Sequence, residues 1–153
     1  MKFTLSWLSD HLETQASASE IAERLTMIGH EVEAVHDRGR ELGDFFVAAV
    51  LTAEPHPNAD KLKVCTVDTG AERLQVVCGA PNARAGMKGI FAPVGTTVPG
   101  TGLALKRAAI RGIESAGMLL SARELNLSDD HTGIIEVAPE FATGTPAAVA
   151  LGL

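Results

Sequence analysis

Between residues 45 and 137 the chain breaks into short apolar runs at regular intervals, each closed by a turn signal, and few folds accommodate that rhythm. The runs 46–53, 62–68, 74–78, 89–93, 105–111, 118–121 and 134–137 read as strands. Thr69-Gly70, Gly79-Ala80-Pro81-Asn82, Val98-Pro99-Gly100 and Asp129-Asp130 punctuate them. Only Arg123-Glu124-Leu125 looks helical in this region.

Strands this short and this many predict a mainly β domain that closes on itself, because closure removes the exposed edges a small sheet would have to protect. A five-stranded Greek-key barrel of the OB type, with extra strands and loops, fits residues 40–149. A different segment precedes it. Ser6-Trp7-Leu8-Ser9-Asp10-His11-Leu12 predicts a short helix. Ser17 and Glu20 form a capping box for a second helix, on which Ile21, Leu25 and Ile28 recur at helical spacing before Gly29 stops it. Glu31-Val32-Glu33-Ala34-Val35 alternates like a strand, and Asp37-Arg38-Gly39-Arg40-Glu41-Leu42-Gly43-Asp44 reads as a linker. Residues 1–39 are thus a small α+β segment with too little area to fold alone, part of an incomplete second domain that residues 150–153 begin to continue.

At 46% apolar and 21% charged, the 153 residues have an ordinary globular balance. No apolar run nears the roughly 18 residues of a membrane span, and the apolar start is too short for a secretory signal. Cys65 and Cys78, with 12 residues between them, make neither a disulfide framework nor a metal site, so a cytoplasmic setting is expected. The net charge of −6 is unevenly spread. Residues 61–124 carry nine Lys and Arg against four Asp and Glu, whereas 1–60 carry four against eleven. A basic middle in an acidic chain suits phosphate contact, or is simply a mixed surface.

Chemistry is harder to find. His131 beside Asp129 and Asp130 fits a polar turn better than an acid–base or metal site, and His56 has no second ligand at metal spacing. Cys65 and Cys78 sit in strands and are expected to pack. Gly100-Thr101-Gly102 lacks the third glycine of a dinucleotide loop, and no Walker or G-x-S-x-G element occurs. No catalytic residue, metal ligand or cofactor site is expected in this chain.

Two stretches carry a more specific signal. Glu54-Pro55-His56-Pro57-Asn58-Ala59-Asp60-Lys61-Leu62 is a stiff connection whose prolines end the first strand and whose Asn and Asp tighten a turn. The second is Lys106-Arg107-Ala108-Ala109-Ile110-Arg111-Gly112-Ile113-Glu114-Ser115-Ala116-Gly117-Met118-Leu119. In this order the pair resembles the tRNA-binding domain shared by several aminoacyl-tRNA synthetases and free-standing tRNA-binding proteins. Trp7-Leu8, the run Leu25-Thr26-Met27-Ile28-Gly29-His30-Glu31-Val32 and the stretch Leu127 to Glu136 also resemble the bacterial phenylalanyl-tRNA synthetase beta subunit.

That resemblance implies a tRNA-binding module of an alpha2-beta2 ligase that uses ATP and magnesium, with the alpha subunit, the rest of beta and tRNA as partners and no membrane. The aminoacylation centre it implies lies elsewhere, and the stop at Leu151-Gly152-Leu153 looks like a truncation. Ser115 and Met118 match the family's S-x-G-M element, which helps contact RNA. Lys61, Lys63, Arg84, Lys88, Lys106, Arg107 and Arg111 are candidates for phosphates, and Asn82 for a further hydrogen bond. Aromatic stacking platforms are scarce, with Phe45, Phe46, Phe91 and Phe141 in the domain and no tyrosine, so shape-directed contact is expected over base reading. Two alternatives stay open: a free-standing or methionyl-type tRNA-binding domain, and a docking barrel with no RNA contact.

Overall fold

Alternating residues of one strand serve two different cores. In β1 (Phe46–His56), Ala48 and Val50 enter one apolar cluster, while Val47 and the preceding Phe45 enter another. The same split recurs in β4 (Lys88–Pro93), where Phe91 joins the first cluster and Ile90 and Ala92 the second. Both faces of these strands are buried, which is why they read as almost unbroken apolar runs.

The computed structural model describes all of residues 1–153, and they separate into two units, Met1–Asp37 and Arg38–Leu153. In the second unit, β2 (Ala59–Asp68), β3 (Arg73–Cys78) and β7 (Gly117–Leu119) join β1 and β4 in one antiparallel sheet ordered β3-β2-β1-β4-β7. β4 returns to pair with β1, the Greek-key step. The sheet then nearly closes between its outer strands. The Ala116 N–H donates to the Gln75 carbonyl at 2.9 Å, and the Val77 N–H donates to Ser115 Oγ at 3.0 Å. The result is the expected barrel of the OB type.

Inside the barrel lie Val50, Cys65, Val67, Val76, Phe91 and Leu119. The second cluster packs outside the wall, where Leu42, Val98, Leu105, Leu120, Leu125 and Ala147 cover Val47 and Ile90. Full burial of each large side chain contributes about 1.5–3 kcal/mol. The cover comes from the loops after β4 and β7 and from two short helices, α3 (Arg38–Glu41) and α4 (Ala147–Ala150). Residues 144–147 lie along the start of β1: the Val47 N–H donates to Thr145 O at 2.8 Å and the Ala147 N–H to Phe45 O at 3.0 Å.

Several boundaries differ from the sequence expectation, each for a physical reason. β1 does not stop at Ala53 but runs through Pro55, which pairs with Lys63. β4 reaches only as far as Ala49 along β1, so Pro55 lies on an edge, where a missing N–H breaks no sheet. The 105–111 run is not one strand. Its end becomes β5 (Ala108–Ile110), which folds back as β6 (Ile113–Ser115). Residues 134–137 form no full strand but lie extended, their N–H groups donating to Leu120 O and Lys88 O. Residues 37–44 are less a linker than a short helix that buries Leu42.

Arg123-Glu124-Leu125 makes a single turn, capped as a helix would be: Glu124 Oε2 accepts from the Ser121 N–H at 2.6 Å and Ser121 Oγ from the Glu124 N–H at 3.4 Å.

The first unit holds α1 (Leu5–Ser9) and α2 (Ala18–Met27). The capping box forms as expected, with the Ser17 N–H donating to Glu20 Oε2 at 2.7 Å and the Glu20 N–H to Ser17 Oγ at 3.3 Å. These bonds to Ser17 pull the Glu20 pKa below the usual carboxylate range. After Met27 the His30 N–H donates to Leu25 O and the Gly29 N–H to Thr26 O, ending the helix at the expected glycine. Residues 31–35 form no strand, because they have no neighbour to pair with. No residue of this unit is buried, and Trp7 remains 55% exposed.

Candidate nucleic-acid interface

Two hairpin tips far apart in sequence are fastened to each other. The first joins β1 to β2, and His56 at its base is only 5% exposed although prolines flank it. Its Nδ1 accepts the Asn58 backbone N–H at 3.0 Å, so that nitrogen carries no proton. Nε2 must then be the protonated one, and it donates to the Ile110 carbonyl at 2.9 Å. Beside it, Asn58 Nδ2 donates to the Arg111 carbonyl at 3.1 Å. The two stretches that the sequence singled out thus meet.

The second tip is the Arg111-Gly112 turn between β5 and β6. Both residues have positive φ, 54° and 85°, the backbone of a two-residue turn matched to the twist of its strands. Glycine adopts this freely, whereas arginine rarely does, and such a residue persists only where neighbours determine it. All three residues of β5 are exposed, so no core holds this hairpin. Its turn is tied by the two bonds from His56 and Asn58, while β6 is fastened to β3 by the Gln75 side chain donating to Glu114 O at 2.8 Å and by the buried Ser115 hydroxyl accepting the Val77 N–H at 3.0 Å.

The cations here point outward. Lys61, Lys106 and Arg111 are exposed and make no ion pair. Arg107 pairs with Glu114 at 3.2 Å, both side chains more than half exposed. A pair that open to water contributes at most about 1 kcal/mol and is readily exchanged for another anion.

The other candidates are bonded within the chain, although the Arg84 side chain remains 58% exposed. Lys63 Nζ donates to the carbonyls of Ala83 at 2.7 Å and Pro81 at 3.3 Å. Lys88 Nζ caps Phe141 O at 2.6 Å and Pro139 O at 2.8 Å. Asn82 imitates a strand neighbour, accepting from the Ile134 N–H at 3.0 Å and donating to the Ile134 carbonyl at 2.8 Å. Arg84 grips Glu136 with two nitrogens, at 2.8 and 3.0 Å. That fork lowers the Glu136 pKa and raises that of Arg84. Met118 is half-buried against the outer core.

Ser115 and Gly117 bind the barrel seam together. The buried Ser115 hydroxyl accepts the Val77 N–H and donates to Gly117 O at 3.1 Å. A Cβ on Gly117 would collide with the Phe91 ring, so only glycine lets β7 approach that side chain. Both cysteines are buried and outside any disulfide; burial pushes the Cys65 thiol up to about 11 and raises that of Cys78. No three His, Cys, Asp or Glu side chains gather where they could hold a metal, and no helix is long and apolar enough to cross a membrane.

Sequence reasoning missed His56 as a fastener, and Gln75 and Glu136 altogether. The prolines around His56 hinted at a fixed ring. Nothing local marks Gln75 or Glu136, whose partners lie 39 and 52 residues away.

The chain is similar to known proteins. The phenylalanine–tRNA ligase beta subunit of Cereibacter sphaeroides is 58% identical over 151 residues, covering 94% of this chain and 19% of that protein. The corresponding subunit of Rhodospirillum rubrum is 53% identical and covers all of this chain and 19% of its own length. The chain therefore spans about a fifth of the curated relatives it matches. Among solved structures, a MetRS related protein from Pyrococcus horikoshii superposes with a TM-score of 0.52 at 26% identity, covering 74% of this chain and 98% of that one. The profile of the tRNA binding domain family matches residues 45–146, two thirds of the chain, and this chain belongs to that family.

Proposed function

We propose that this chain is the tRNA-contacting N-terminal part of a bacterial phenylalanine–tRNA ligase beta subunit. The observation that carries this is the extent of the likeness: 53–58% identity over 94–100% of the chain takes in most of Met1–Asp37 as well as the barrel. A free-standing or methionyl-type domain would account for the barrel alone. The alpha subunit, the remainder of beta and a cytoplasmic alpha2-beta2 assembly follow from the same reading. So does aminoacylation with ATP and magnesium by the whole ligase.

The RNA surface in this reading is the edge carrying Lys61, Lys106, Arg107 and Arg111. Lys63, Asn82, Arg84, Lys88, Ser115 and Met118 build the barrel that supports it. Contact is electrostatic and shape-directed, toward a folded tRNA, with a dissociation constant of about 10⁻⁴ to 10⁻⁶ M. A docking barrel without RNA contact is the second reading, favoured by how many of its polar groups are already bonded within the chain.

Titration with phenylalanine tRNA at several salt concentrations decides between them. Binding that weakens with salt, and weakens further in the Lys106→Ala/Arg107→Ala/Arg111→Ala variant, supports the RNA surface. A folded chain that binds no tRNA at low salt overturns it.

A further inference from the structure

The cations on the second hairpin are useful to RNA only if its turn is held still, and β6 is fastened to the barrel only at Glu114 and Ser115, away from that turn. β5 is exposed along its whole length, and of the β5–β6 ribbon only Ser115, at the barrel seam, is buried. A two-stranded ribbon without a core is at best marginally stable in water. Yet its tip carries a non-glycine residue at φ 54°, in a turn fixed by two side chains from another hairpin.

We propose that His56 and Asn58 are positioning residues for RNA, locking the Arg111-Gly112 turn to the β1–β2 hairpin so that Lys61, Arg107 and Arg111 meet the phosphates as one prearranged edge. The proposal rests on the RNA-contacting reading given above and adds how that surface is built. His56 suits the role because its ring spans both hairpins. One nitrogen accepts from its own turn and the other donates across to Ile110, so the ring cannot rotate without breaking both bonds. Asn58 adds a second tie one residue further, on the carbonyl of the strained arginine itself. Fixing the edge before binding removes the entropy cost of ordering a loose ribbon on the RNA. It also explains why a buried histidine belongs in a proline-flanked loop with no metal around it.

The test compares the 153-residue chain with Asn58→Ala, His56→Ala and His56→Gln, titrated with phenylalanine tRNA between about 50 and 200 mM salt. Amide hydrogen exchange is followed in parallel across residues 108–115. Asn58→Ala and His56→Ala are expected to weaken binding about three- to tenfold and to lower the salt slope by about 0.7–0.9, the share of one phosphate contact. Exchange should quicken at 108–115 while the Val76 and Ile90 amides stay protected. His56→Gln, whose amide still reaches Ile110 O, should recover part of the loss. Adding Arg111→Ala to Asn58→Ala should cost less than the two single losses combined.

Asn58 is exposed, so its variant carries the test if His56→Ala fails to fold. Wild-type binding that Asn58→Ala leaves unchanged in affinity and slope overturns the positioning role alone. No wild-type binding at low salt overturns the RNA reading, and this proposal with it.

Discussion

Met1–Asp37 and Arg38–Leu153 differ in local signal and in burial, and in opposite senses. The first has a complete capping box and a helix stop with both expected bonds, yet buries no residue. The second has poor local signals, strands of three residues among them, yet buries side chains on both faces of β1 and β4. Local chemistry sets where an element begins and ends, while stability comes from what that element is packed against. Trp7 makes the contrast concrete: its neighbours are Phe3 at 6.5 Å and His11 at 5.3 Å between ring centres, and no core. Phe91, by contrast, is 1% exposed inside the barrel.

Mutations should divide along the same line. Phe91→Ala empties the barrel interior and should cost about 3–5 kcal/mol, measured by urea unfolding of the second unit. Ser115→Ala leaves the buried Val77 N–H without its acceptor at the barrel seam. A loss of about 1–3 kcal/mol is expected in the same assay.

Alkali should reach the barrel and spare the first unit, which has no cysteine. With the Cys65 pKa raised to about 11 from an ordinary 9.0, the folded state holds its thiol proton where the unfolded chain has released it. Stability is then complete below pH 9 and falls as pH rises toward 11. Melting temperatures of Cys65→Val/Cys78→Val should be flatter than wild type across that window. The smallest effect belongs to the coreless unit: Trp7→Ala should change barrel stability by less than about 0.5 kcal/mol. A larger change there would break the comparison.

The barrel was legible in the sequence because turns and alternation are local. Five of the seven expected strands appear with boundaries close to those read, and the two exceptions, 105–111 and 134–137, are shaped by partners distant in sequence. Whether 105–111 continues or folds back depends on a turn held by His56 and Asn58, half the domain away. Residues 31–35 alternate correctly but have no partner, so pattern alone could not make a strand. The cations were equally legible as a group and equally opaque one by one. Lys63 and Lys88 look like Lys61 and Lys106 in sequence, and only the carbonyls of Ala83 and Phe141 tell them apart.

The bonds that tie the first barrel strand to the last residues of the chain also set an order of events. The Val47 N–H waits for Thr145, about a hundred residues later, and Lys88 waits for Phe141. As the chain leaves a ribosome, β1 through β4 can pair early, but the outer layer over Val47 and Ile90 stays open until α4 has emerged. Contacts this distant in sequence make for slow folding, with apolar surface uncovered in the interval. The nascent domain is most exposed to misassociation just before α4 emerges.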